Sequence, residues 1–363
     1  MKNKKGLNIW LKIMIVFVVL VISTISAILI WYNSNISAKQ VEYKKIDITI
    51  EMGSGASSIA KSLKESGLIK SELAFRIYVK LNNISGFQAG NYSLSPNMDI
   101  ETIAASLKDG KVYEEQVIIT FIEGKNMMWI AKQISEKTTN SEQAVYDLLK
   151  DTEYINNLID KYWFLDKAIT NNNIYYPLEG YLYPDTYHFS KNDCSIKTIF
   201  TTMLDKMDKV LTKYKEQIKA SKYSIHELLT MASIVELEGL NKNDRKDIAS
   251  VFYNRLSSGM SLGSDVTTYY AFKINMGDRD LTTNELNSNN PYNTRGPNMG
   301  GKLPIGPICS PSESSIEAAI IPNSTNYFYF VADKNGEVYF TKTYSAHLQK
   351  VQNLKNNGLW FEY

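Results

Sequence analysis

The sequence predicts an α+β chain: a single N-terminal transmembrane helix, a small α+β module, then a larger mixed α/β domain. Three observations carry that prediction. Residues 13–32 form an apolar run of 20 residues without a charge, long enough to span the hydrocarbon core of a bilayer as a helix. Behind it, Ile46, Ile48 and Ile50 alternate with Asp47 and Thr49 in the period of a half-buried strand. Further on, apolar residues three and four apart recur between glycine-bearing turns, the period of helices packed on such strands.

The elements follow in order. Residues 1–12 are a tail with Lys2, Lys4, Lys5 and Lys12, which places the N-terminus in the cytoplasm and the rest of the chain outside. Trp10 on one side and Trp31 and Tyr32 on the other suit the two membrane interfaces. A cleaved signal peptide has an apolar core of about 7–15 residues. This one is longer, so an uncleaved anchor is expected, although small residues occur at 34–39. Residues 33–44 read as a polar tether. The module at 45–118 reads β-α-α-β-α-β. Its parts are a strand at 46–50, a helix with Ile59, Ala60 and Leu63 on one face, and a helix capped by Ser71 that buries Leu73, Phe75, Ile77, Tyr78 and Leu81. A strand at 90–94, a helix capped by Asp99 and a strand at 117–121 complete it. In the domain at 119–363, helices are expected at 127–134 and 141–149, a turn-rich aromatic stretch at 177–189, and long helices at 196–220 and 225–238. Another helix starts at Asp244, and 278–306 is a long loop rich in Asn, Gly and Pro. The chain closes with a helix at 314–321 and a hairpin turning at Asp333-Lys334-Asn335-Gly336.

Composition excludes several functions. The net charge is only +2, so there is no electrostatic case for nucleic acid. Cys194 and Cys309, far apart, make no disulfide framework and are expected as free thiols. His188, His226 and His347 are dispersed and lack metal-ligand spacing, so neither a metal nor another cofactor is expected.

One residue stands out. Ser224-Ile225-His226-Glu227 matches a capping box and starts a helix on which Ile225, Leu228, Leu229, Ala232 and Val235 form an apolar stripe. Glu236, seven positions after Leu229, falls within roughly 20° of it and so lies on the stripe. Glu238 points roughly 160° away from Glu236 and is expected in solvent. A carboxyl against apolar neighbours has its pKa raised and becomes a proton donor near neutral pH. A Glu near a helix C-terminus also serves as the partner of an Arg, and helix geometry alone leaves both readings open.

Polar clusters with tyrosines lie between the apolar elements: Tyr253-Asn254-Arg255, then 263–270, which carries Ser264, Asp265, Thr267 and Tyr270, then Pro291-Tyr292-Asn293-Thr294. Hydroxyl and acetamido groups of sugars ask for paired donors and acceptors, and sugar ring faces ask for aromatics. Asn254, Ser264, Asp265, Thr267, Tyr270, Tyr292, Asn293 and Thr294 are therefore candidate glycan contacts. The same residue types also stabilise turns through side-chain-to-backbone hydrogen bonds.

Taken in order, these segments resemble the YceG-like family of endolytic murein transglycosylases. The resemblance covers about residues 44–350. It is carried by Leu178-Glu179-Gly180-Tyr181-Leu182-Tyr183-Pro184-Asp185-Thr186-Tyr187, Ala232-Ser233-Ile234-Val235-Glu236 and Val251-Phe252-Tyr253-Asn254-Arg255-Leu256. Leu262-Gly263-Ser264-Asp265, Pro291-Tyr292-Asn293-Thr294, Leu303-Pro304-Ile305-Gly306-Pro307-Ile308 and Tyr329-Phe330-Val331-Ala332 follow in the same order. The resemblance implies that Glu236 is the catalytic acid and that the module at 45–118 is LysM-like. It implies a peptidoglycan glycan strand as substrate, cut internally between N-acetylmuramic acid and N-acetylglucosamine to leave a 1,6-anhydro end, so that nascent strands are terminated or trimmed. Expected partners are the membrane and peptidoglycan synthases of the penicillin-binding class. The chain departs from the family pattern where Gly263 replaces a usual Gln, Val266 a usual Pro, and Ser310-Pro311-Ser312 a usual Asn-Pro-Gly, and in the segment 295–302.

Two other readings of the sequence stand beside this one. A muramidase-type hydrolase needs a second carboxylate across the cleft, for which Asp265 and Glu179 are the candidates. A non-catalytic wall-binding scaffold needs no acid on the helix.

Overall fold

The computed structural model describes residues 9–41, 43–110, 116–191, 193–239 and 241–360. Lys2, Lys4 and Lys5 lie outside the described residues, as does the side chain of Lys12. The chain divides into two compact units, Met1–Glu115 and Gln116–Tyr363.

The smaller unit starts with α1 (Ile9–Ile36), of which Val16–Ile36 is long and apolar enough to cross a membrane. Strand β1 (Ile46–Ile50), helices α2 (Ala56–Glu65) and α3 (Glu72–Leu81), strand β2 (Gly90–Leu94) and helix α4 (Ile100–Asp109) follow. β1 and β2 pair antiparallel, Ile48 opposite Tyr92. Ile48, Ile50, Ile59, Leu63, Phe75, Leu94, Ile103 and Leu107 fill the core between this ribbon and the three helices. Ser71 and Asp99 cap α3 and α4 as expected, their side chains accepting from the amides of Ala74 and Thr102. The buried face of α3 differs from the expected one. Ala74, Phe75 and Val79 point inward, whereas Leu73 and Leu81 are 54% and 68% exposed.

The larger unit begins with β3 (Gln116–Thr120), α5 (Met127–Lys137), α6 (Glu142–Lys150), α7 (Thr152–Lys161) and β4 (Thr186–Ser190). β3 was expected as the last strand of the small module. It pairs instead with β4, Ile118 opposite His188, and so belongs to the larger unit. A strand needs a partner edge, and β4 lay hidden in the aromatic stretch read as turns. Helices α8 (Ile196–Thr212) and α9 (Lys215–Ala220) replace the expected single helix, which breaks at Lys213 and Tyr214. Next come α10 (Ile225–Glu238), α11 (Arg245–Ser257), α12 (Asp265–Ala271), the short α13 (Thr283–Leu286) and α14 (Glu313–Ile320). The hairpin β5 (Tyr329–Ala332) and β6 (Val338–Thr341) precedes a final helix, α15 (Tyr344–Asn356), which the sequence reading did not identify. α10 is the centre of this unit and packs on α11, α12 and α14.

Candidate active site

The capping box of α10 forms as expected: Ser224 accepts from the Glu227 amide and Glu227 accepts from the Ser224 amide. From Leu228 to Val235 every residue is buried. The helix is therefore buried on all sides, not along one stripe, as a helix enclosed by three others must be. Its two internal hydroxyls turn back on the main chain, Thr230 donating to the His226 carbonyl at 2.7 Å and Ser233 to the Thr230 carbonyl at 2.8 Å. His226 ties two neighbouring segments to its first turn. Its Nε2 donates to the Ile305 carbonyl at 2.8 Å, and Nδ1 accepts from the Tyr181 hydroxyl at 2.8 Å.

Glu236 sits in the last turn of α10, and its side chain is only 6% exposed. The expected apolar surroundings are not what it meets. Arg245, the first residue of α11 and itself buried, donates from Nη2 to Oε1 at 2.9 Å. The amide and hydroxyl of Ser312 both donate to Oε2, at 2.8 and 2.6 Å. Arg245 is held in turn by the hydroxyls of Ser312 and Ser314 and, at 3.4 Å, by the Gly239 carbonyl. Ser312 is the N-cap of α14 yet makes no side-chain cap bond, because its hydroxyl serves Glu236. The acid thus lies at a helix N-terminus, where backbone dipoles favour negative charge. Beside it runs the 124–125 segment, joined to Ser310 by paired main-chain bonds of 2.8 and 2.9 Å. Sequence reasoning missed Arg245 and Ser312. The only signal was the open alternative of an arginine partner.

A carboxylate offers about four acceptor positions. Arg245 takes one on Oε1, and Ser312 takes both on Oε2. Among the described residues, one position on Oε1 has no hydrogen-bond donor. The guanidinium on the same oxygen stabilises the carboxylate left behind when a proton departs.

Glu238 is not in solvent. It is half-buried, accepts a hydrogen bond from the Ser264 hydroxyl, and burial pushes its carboxyl above the ordinary carboxylate range. The segment at 263–295, folded over the end of α10, covers it.

The other candidate residues are brought together, but largely with one another. Thr267 and Thr294 share a 2.8 Å hydroxyl contact, and each hydroxyl also meets the Ser264 carbonyl. Asn293, fully buried, donates to the carbonyls of Glu285, Leu286 and Ser288 and accepts from the Thr268 hydroxyl. Asn254 donates to the carbonyls of Thr325 and Tyr327 at 3.1 and 2.9 Å. The rings of Tyr175, Tyr270 and Tyr292 cluster with centroids 4.8 to 5.8 Å apart, and Tyr270 and Tyr292 are buried. The polar groups of these six residues are engaged within the protein, and a buried amide or hydroxyl with its partners in place has less to offer a ligand. They knit the loops around the end of α10. Of the eight candidates, Asp265 alone keeps an exposed side chain, and it pairs with Arg295. Gly263 has φ +60, a conformation that a Gln at this position strains to adopt.

The two carboxylates considered as partners of Glu236 are both engaged. Asp265 is held by Arg295 at the surface. Glu179 is buried, accepting from the Met127 amide at 2.9 and 3.0 Å and from the Tyr270 hydroxyl at 2.9 Å. It therefore ties the start of α5 to α12. Among the described residues no cation is within hydrogen-bond reach of Glu179, and burial pushes its carboxyl up to about 7. The fold prefers its neutral form. That contribution is fully present below the ordinary carboxylate range and is lost as pH rises through about 7. The difference between the ordinary 4.5 and about 7 is worth at most about 3 kcal/mol. We expect thermal unfolding to occur at a lower temperature at pH 8 than at pH 5.5, and Glu179→Gln to flatten that dependence. Equal pH slopes in the two proteins would show that Glu179 does not titrate in this window.

Both thiols, Cys194 and Cys309, are free. Among the described residues no group of three or more His, Cys, Asp or Glu side chains is placed to hold a metal ion.

These features define a two-unit α+β protein with one buried, clamped acid at the end of an enclosed helix. The chain belongs to the YceG-like family, whose model matches residues 48–353. It is 44% identical over 306 residues to the endolytic murein transglycosylase of Bacillus subtilis, a match covering 83% of this chain and 82% of that protein. It is 33% identical over 331 residues to the enzyme of the same name from Streptococcus pneumoniae strain D39, covering 87% of this chain but 59% of that longer protein. The crystal structure of a yceG-like protein from Listeria monocytogenes aligns with a TM-score of 0.60 at 37% identity, covering 85% of this chain and 100% of that one.

Proposed function

We propose that the chain is a membrane-anchored endolytic murein transglycosylase that cuts the bond between N-acetylmuramic acid and N-acetylglucosamine within glycan strands. The kinship with murein transglycosylases supports the substrate. The clamped carboxyl of Glu236, with one open acceptor position, carries the mechanism. In the first half of the reaction Glu236 delivers its proton to the glycosidic oxygen as the bond to the anomeric carbon breaks. In the second half the muramyl C6 hydroxyl attacks that carbon, and its proton returns to Glu236. The product ends in a 1,6-anhydro ring and no water is consumed. Acid–base action of this kind contributes about 10²–10⁴-fold. Arg245 and Ser312 hold the carboxyl in place through both transfers.

The engagement of Asp265 and Glu179 favours this route over hydrolysis, which calls for a second free carboxylate to direct water. α1, with an apolar stretch of 21 residues, supports retention in the membrane with the remainder outside. The smaller unit is read as the LysM-like module that keeps the chain on the wall, and penicillin-binding synthases as its neighbours in strand synthesis. The test is digestion of purified murein followed by mass spectrometry of the fragments. Anhydro-muramyl ends on fragments of many lengths are the expected result. Hydrated reducing ends would overturn the lytic route, and release of disaccharides alone would overturn the internal cut.

A further inference from the structure

Where α1 ends, three lysines converge. Lys70 Nζ donates to the carbonyl of Ser34, in the last turn of α1, at 2.9 Å. Lys39 Nζ donates to the Gly67 carbonyl, and Lys64 Nζ to the Lys70 carbonyl at 2.7 Å. The three ammonium groups thus gather around the turn between α2 and α3. Among the described residues none of them is paired with a carboxylate. Burial, and then the neighbouring charges of Lys64 and Lys70, hold the Lys39 ammonium below its usual range. Each ammonium has three N–H donors, and the carbonyl bonds take one apiece, which leaves donors and charge for an anion.

Location says which anion. Ser34 lies within the apolar span Val16–Ile36, near its outer end. The lysines therefore stand at the level where a bilayer presents its phosphates. α3 packs against α1, with Leu73 and Leu81 exposed on it. Clustered cations beside a membrane helix attract anionic headgroups by about 1 kcal/mol each, roughly fivefold in binding.

We propose that Lys39, Lys64 and Lys70 form a binding site for the phosphate of an anionic lipid headgroup, which docks the α2–α3 turn on the outer leaflet. This rests on reading α1 as a retained anchor. The experiment uses the full chain in bilayer discs of equal parts phosphatidylglycerol and phosphatidylcholine, with retained lipids counted by native mass spectrometry. The wild-type chain is expected to retain phosphatidylglycerol preferentially. Each Lys→Gln substitution should reduce that preference about fivefold, and the triple variant should abolish it. Murein cleavage should be unchanged in all of them. Lys64 is exposed, so Lys64→Gln supplies a readout that does not depend on the triple variant folding.

Equal retention of the two lipids by the wild-type chain would overturn the proposal. So would a lysine-dependent affinity for inorganic phosphate without any lipid preference, which would mark a site for free anions. The intact mass of the chain recovered from cell membranes tests the anchor separately. A chain shortened past α1 would defeat the anchor reading, whereas a full-length chain without headgroup preference would defeat this inference alone.

Discussion

Glu236→Gln should leave a folded chain that no longer cuts murein. Gln keeps the shape of Glu and can still accept from the Ser312 amide, but it has no proton to give and no charge to offer Arg245. Loss of acid–base action alone predicts a fall of about 10²–10⁴-fold in the rate of anhydro-end formation. The variant should also be less stable, because the guanidinium of Arg245 stays buried without its counter-ion. Removing one member of a buried pair costs about 3–5 kcal/mol when nothing replaces it, and the amide oxygen of Gln offsets part of that. Circular dichroism and a melting curve separate the two effects. A variant that melts early but cuts at the wild-type rate would take Glu236 out of the reaction and leave it a structural residue.

A large loss of stability is also expected from Gly180→Ala, next to the buried Glu179. Gly180 has φ +79, where a side chain is strained by about 1–2 kcal/mol. A methyl group there would lie 2.3 Å from Pro307 Cβ, 2.8 Å from Pro307 Cγ and 3.3 Å from the Cys309 carbonyl oxygen. A proline ring and a carbonyl cannot swing aside as the end of a lysine can. The 303–309 segment would have to move as a body, and it carries the Ile305 carbonyl bonded to His226 and the Ile308 amide bonded to Ser233. Overpacking adds about 1–3 kcal/mol. Together with the backbone strain this should lower the melting temperature by roughly 10 °C for a unit of this size. Cleavage should fall as well, because Ser312 follows the same segment. An unchanged melting temperature would show that the segment at 303–309 yields easily.

The sequence carried the local signals of this fold well and its long-range ones poorly. Caps at Ser71, Asp99 and Ser224 are visible because each depends on three or four consecutive residues. The β5–β6 hairpin is visible for the same reason. The pairing of β3 with β4 joins strands separated by three helices, and no local period reports it. Glu236 stood out as an acid in apolar company, but Arg245 and Ser312, which give it a partner and a position, come from α11 and the start of α14. Glu238 was misjudged because helix geometry says where a side chain points, not which loop arrives to cover it. The Asn, Thr and Tyr residues of the loops illustrate a different difficulty. The donors and rings that suit a sugar also suit one another, and only the fold shows that Thr267, Asn293, Thr294, Tyr270 and Tyr292 are already satisfied.

The missing side-chain cap on α14 bears on how such a chain can change over generations. Ser312 spends its hydroxyl on Glu236, so the acid has become part of the way the helix begins. A descendant that drifts toward mere wall binding does not lose its acid by one neutral step. Losing the glutamate strands Arg245 and leaves Ser312 to find a new role. A dead enzyme as stable as its parent therefore needs coordinated replacements at 236, 245 and 312. Among silent relatives of this chain, those three positions should be found altered together.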